Sequence, residues 1–147
     1  HLDFDMKKCL DESKENPIFY IQYAIARINS LNKFFKGKKL EFINFNQKLF
    51  NRFNENEIIL LKTLSLWPKI IESSVIYKEP HRVVYYLIDL AGVFHNYWSK
   101  GNLDSNMRVI NEADIELTVA RLNLLNCISK VIKSGLDILA IKPVEQM

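Results

Sequence analysis

The sequence predicts an all-α protein, a helical bundle of about five helices in a single domain over residues 1–147. Three observations carry that expectation. The chain has only 4 Gly and 4 Pro in 147 residues, too few turn formers for a β-sandwich or barrel. Its long uninterrupted segments repeat apolar residues at three- and four-residue intervals, and no run alternates as a strand would. Hydrophobic residues make up 48% and charged residues 25%, the balance of a soluble globular chain long enough to bury a core without staples.

The elements follow in order. Residues 1–15 form a lead-in, with a short helix expected over Asp3 to Lys14 and a turn at Glu15-Asn16-Pro17. A strong helix is expected from Asn16 to Lys36. Pro17 fits its first turn, where the missing N–H costs nothing. Ile21, Ala24, Ile25, Ile28, Leu31 and Phe35 make its apolar stripe, and Gly37 closes it. Residues 37–54, rich in Asn, Lys and Phe, read as an irregular connection.

Asn54 with Glu57 three residues on is a capping-box pattern. Ile58, Leu61, Leu64, Ile71 and Val75 mark the helix that follows, with a break expected near Leu66-Trp67 because Pro68 lies inside it. Pro80 opens the next helix, which runs to Gly101 with Val83, Tyr86, Leu87, Leu90, Phe94 and Trp98 on its core face. The polar linker Asn102 to Asn111 ends in a cap formed by Asn111 with Asp114. The last long helix is expected from Ala113 to Ser134, stopped by Gly135. In the tail LDILAIKPVEQM, Pro143 is expected to start a final helical turn.

The net charge of +3 permits a polyanionic partner without demanding one. Cys9 and Cys127 have no metal-ligand spacing and sit in apolar contexts, so buried free thiols in a reducing compartment are expected. No run approaches the ~18 apolar residues of a membrane span. The opening HLDFDMKK lacks the apolar segment of a signal peptide. Because the chain starts with His rather than Met, it is expected to be a piece of a longer protein.

Catalytic chemistry is not visible. Gly37, Gly92, Gly101 and Gly135 never cluster into a phosphate-cradling loop. His1, His81 and His95 show no ligand spacing, and His95, on an aromatic helix face, reads as structural. Asp89, alone at mid-helix, reads as an ion-pair or cap partner rather than a general base.

A recognition surface has more support. Phe19, Tyr20 and Tyr23 open the first long helix, and Tyr85, Tyr86, Phe94, Tyr97 and Trp98 crowd the helix after Pro80. Rings stack on unpaired bases for about 1–3 kcal/mol each while cations hold phosphates. Lys33, Lys36, Lys38 and Lys39 form one basic run, and Arg27, Lys130 and Lys133 add others. Most of these aromatics are equally expected in the core. The residues alone therefore leave RNA and a protein partner both open.

Three strings narrow the choice. NPIFYIQYAIAR (Asn16 to Arg27), EPHRVVYYLIDLAGVFHNYW (Glu79 to Trp98) and ARLNLLNCISKVIKSGLDILAIKPVEQM (Ala120 to Met147) resemble, in order, the C-terminal part of arginyl-tRNA synthetases. HLDFD resembles the stretch that joins that part to the family's catalytic portion. The resemblance spans nearly the whole chain and weakens only between Gly37 and Asn54.

It implies the helical anticodon-binding (DALR) domain of a class I synthetase. No cofactor belongs to such a domain. The ATP and Mg sites, with the His-Ile-Gly-His and Lys-Met-Ser-Lys-Ser type signatures, would lie in a catalytic domain before His1. The implied partners are the anticodon stem-loop of arginine tRNA and that catalytic domain, in a cytoplasmic monomer with no membrane contact. The chain alone would hold tRNA without ligating arginine to it. The alternative is a helical protein-interaction module with no RNA specificity.

Residue by residue, the resemblance places Tyr20, Gln22 and Tyr23 on the family's Pro-x-x-Tyr-x-Gln-Tyr stretch, whose helix faces the anticodon loop. Arg27 matches a basic position one turn on, and Met147 matches the terminal Met near the same loop. His95 matches a structural histidine. Arg121, in Ala-Arg-Leu, is assigned to tRNA, pairing with a helix carboxylate or facing phosphate. One departure stands out: Ile25 occupies the place of a histidine in the family's Gln-Tyr-Ala-His-Ala-Arg, where its spacing suits packing.

Overall fold

The computed structural model describes residues 16–36 and 51–144. They form five α-helices and one short 3-10 turn, and no strand occurs among them. The expected helix at Asp3 to Lys14, most of the irregular 37–54 connection, and Met147 lie outside the described residues.

Helix α1 spans Pro17–Lys36. The Asn16 side chain accepts from the backbone N–H groups of Ile18 (3.0 Å) and Phe19 (3.3 Å), satisfying two donors that a helix start leaves over. Its predicted stripe is the buried one: Ile21, Ala24, Ile25 and Ile28 are almost wholly enclosed. Ile25 packs at 0% exposure, so it serves the core where the resembled family has a histidine.

Helix α2 (Glu55–Ser65) carries the full capping box. Asn54 accepts from Asn56 N–H (2.8 Å) and Glu57 N–H (3.3 Å), and Glu57 Oε2 accepts in return from Asn54 N–H at 2.7 Å. Helix α3 (Trp67–Tyr77) starts one residue later, with Pro68 in its first turn. The break falls at Leu66, as the proline predicts, because its ring cannot extend a helix already running.

Expectation and structure part over α3. It buries no residue completely, and Val75, expected in the core, is 71% exposed. The periodic pattern was continued across the break, but each half sets its own rotational phase.

Helix α4 (His81–Leu103) is the central post, packing against α1, α2, α3, the 3-10 turn at Ser105–Met107 and helix α5 (Ile115–Ile138). It runs through Gly101, where the sequence suggested an end. Helix α5 likewise differs from expectation at both ends. Asp114, not Asn111, is its cap, accepting from Leu117 N–H at 3.0 Å. Asn111, just outside the helix, instead bonds Ala113 and, within the first turn, Thr118.

Gly135 does not stop α5 but lies inside it, buried against α4. A Cβ there would fall 2.7 Å from a methyl of the fully buried Leu87, so the glycine permits close approach of the two helices. The helix ends three residues beyond, at Ile138, with Ala140 in the left-handed region (φ 56°). Ala140 N–H bonds Asp137 O (2.9 Å) and Ile141 N–H bonds Leu136 O (2.9 Å), a Schellman turn without glycine.

Residues 141–144 carry no regular structure, and the helical turn expected from Pro143 falls mostly on residues outside those described. Cys127, expected buried, is exposed, and Cys9 lies outside the described residues. No helix among the described residues is long and apolar enough to cross a membrane.

Candidate functional site

Tyr20, Tyr23 and Arg27 lie on α1 at three- and four-residue spacing, which stacks them along one side of the helix. That side faces His95 and Trp98 of α4. The Tyr20 and Tyr23 rings lie 4.4 and 5.7 Å from the His95 ring, and Phe19 continues the stack from Tyr23 at 6.3 Å. The Arg27 guanidinium sits 4.2 Å above the Tyr23 ring and 5.2 Å from that of Trp98.

Hydrogen bonds fix the guanidinium in place. Arg27 Nη2 donates to Tyr23 Oη at 3.1 Å, and Nη1 meets His95 Nδ1 at 3.3 Å. A guanidinium only donates, so Nδ1 accepts, and Nε2 donates to the Tyr20 carbonyl at 3.0 Å. His95 is buried and braces Arg27 against α1, which agrees with the structural role expected of it. The result is a half-exposed cation held over aromatic faces.

One turn further along α1, Leu31 joins Trp98, Met107 and Arg108 around an open, largely apolar cavity of about 180 Å³. Lys33, Lys130 and Lys133, from the expected basic sets, are exposed.

Gln22 projects elsewhere. It is 9% exposed, and its amide is occupied by the chain's own tail. Nε2 donates to Lys142 O at 3.2 Å, and Oε1 accepts from Val144 N–H at 2.5 Å. The polar atoms of Gln22 thus face the C-terminal segment.

Arg121 also turns inward. It is 3% exposed and lies within the bundle. Its Nε donates to Glu57 Oε1 at 2.5 Å and its Nη1 to the Arg108 carbonyl at 2.6 Å. Glu57, 0% exposed, also accepts from Tyr97 Oη at 3.1 Å. Of the two partners expected for Arg121, the helix carboxylate is the one it meets. Burial, and then the Glu57 carboxylate, raise the Tyr97 phenol well above its ordinary value.

Sequence reasoning missed Glu57 as a core residue. A glutamate in the first turn of a helix reads as an exposed cap partner, which it is through Oε2, while Oε1 points inward.

Comparison with known proteins agrees with this architecture. A family model described as the DALR anticodon binding domain matches residues 21–147. An arginine–tRNA ligase of Bartonella henselae is 44% identical over 99% of this chain, and one of Rickettsia felis is 42% identical over 99%. The chain spans about a quarter of the length of these relatives, 26% in both. A solved arginyl-tRNA synthetase from Campylobacter jejuni shares the fold, with a TM-score of 0.75 over 98% of this chain and 29% of its own, at 21% identity. A bundle of this shape, matched by the family model over six-sevenths of its length, belongs to the DALR anticodon-binding domain family.

Proposed function

We propose that this chain binds the anticodon stem-loop of arginine tRNA, as the C-terminal quarter of a protein that ligates arginine to that tRNA with ATP and Mg. The observation that carries the reading is the Arg27 guanidinium, held half-exposed between the Tyr23 and Trp98 rings. A fixed cation beside ring faces suits a backbone phosphate next to unstacked bases. The apolar cavity next to it, with Arg108 at its wall, has room for an aromatic ring.

In this reading Tyr20 and Tyr23 supply ring surface, Arg27 meets phosphate, and Met147 packs on a base of the same loop. ATP, Mg and the ligation chemistry belong to a separate catalytic domain that docks in the same polypeptide. The whole works as a monomer in the cytoplasm.

Filter binding with arginine tRNA and an anticodon-substituted variant, at stated and varied salt, tests the proposal. Tighter binding of the arginine tRNA is expected, with affinity falling as salt rises. Equal affinity for both RNAs removes specific reading. Absence of binding to either leaves the helical interaction module.

A further inference from the structure

The sequence ends on a polar tail, and α5 delivers that tail by a sharp turn. The Schellman bonds at Ala140 and Ile141 reverse the chain, so Ile141 to Val144 leave the axis of α5. The segment carries no regular structure of its own. Its backbone groups must therefore find partners elsewhere or stay in water.

One side chain provides them. Gln22 donates to the carbonyl of Lys142 and accepts from the N–H of Val144, as a neighbouring strand would. A carboxamide offers one donor and one acceptor side by side, as the two backbone groups require. Gln22 lies on α1 between Tyr20 and Tyr23, and Val144 is three residues from the C-terminal Met147.

We infer that Gln22 is a positioning residue: it latches the C-terminal tail to the aromatic end of α1 and contributes to RNA binding through that tail rather than by touching RNA. The binding half of this inference rests on the function proposed above; the latch itself does not.

The test combines two readouts on the 147-residue chain. Amide hydrogen exchange at Val144, followed by NMR, reports the latch without RNA. Gln22→Met removes both hydrogen bonds at nearly constant volume, and Val144 exchange is expected to rise at least about tenfold, the ratio that losing about 1.4 kcal/mol of protection gives. Core amides such as that of Ile128 should keep their protection. Gln22→Glu keeps an acceptor for the Val144 N–H and should keep most of the protection; Gln22→Ala, which lacks both bonds, serves if the Met variant folds poorly. Unchanged exchange at Val144 in the variant that lacks both bonds overturns the latch.

The second readout is a double-mutant cycle with a chain ending at Pro143. Gln22→Met and the truncation should each weaken binding of the arginine anticodon stem-loop by a similar factor, and together by no more than either alone. Multiplying losses overturn the inference and make Gln22 a direct RNA contact. If none of these chains binds RNA, the proposed function fails, and the exchange result alone decides whether Gln22 is a latch.

Discussion

Arg27 and Arg121 are both arginines on long amphipathic helices, and both were expected to meet tRNA. The fold gives them opposite surroundings. Arg121 is enclosed, with the Glu57 carboxylate and the Arg108 carbonyl at its guanidinium and Tyr97 on the same carboxylate. Among the described residues no carboxylate pairs with Arg27; its charge rests on the rings of Tyr23 and Trp98, the Tyr23 hydroxyl and His95.

The first cation is neutralised and serves the fold. The second keeps its charge available at the surface. What separates an arginine that can bind phosphate from one that cannot is the acid in its contact shell, and for Arg121 that acid sits 64 positions away in the chain.

The comparison breaks most visibly at Arg121. Its replacement by Met leaves the Glu57 charge buried without its cation, at a cost of about 3–5 kcal/mol. Urea denaturation should show that loss. A loss under about 1 kcal/mol would mean the pair is not what holds α2 to α5.

Tyr97→Phe removes one hydrogen bond to the same carboxylate and should cost about 1–2 kcal/mol. It should also change the alkaline limb of stability. The folded-state value of Tyr97 is raised, and that of Tyr86 is raised to about 12, by burial. The unfolded chain therefore loses these protons first, and stability falls as pH rises above about 10. In Tyr97→Phe that fall should be shallower. An identical slope would place the alkaline sensitivity in other groups.

The smallest stability change belongs to Arg27→Met. With a half-exposed cation over rings, the loss should stay under about 1 kcal/mol. Its effect belongs in binding, where affinity for the anticodon stem-loop should drop by roughly tenfold, about 1.4 kcal/mol, with a shallower salt dependence. A variant that unfolds like Arg121→Met, or binds RNA as before, would erase the distinction between the two arginines.

Much of the bundle was legible because its signals are local. The Asn54–Glu57 capping box and the Pro68 break are set by residues a few positions apart, and the α1 stripe by a single period. The misreading of Gly135 involves a contact distant in sequence. Gly135 looks like a helix stop because glycine commonly is one, and only the presence of Leu87 across the interface reveals its purpose. The true stop, Ala140, carries no glycine signal. Val75 was placed by extending one phase through a break.

The candidate site divides in the same way. Tyr20, Tyr23 and Arg27 share one helix, so spacing alone puts them together. Gln22 sits among them but turns toward residues 142–144, and Arg121 turns inward to Glu57. Nothing in either local string announces those partners.

The close approach of Gly135 to Leu87 has a consequence for how such chains can diverge. Two positions on different helices share one volume, so neither changes alone at low cost. A descendant that gained even a methyl at position 135 would need a smaller residue at 87, or would have to push α5 away from α4. Loss at 87 first would open a void, while gain at 135 first would overfill it. The order of substitution, and not only the final pair, decides which lineages keep a working bundle.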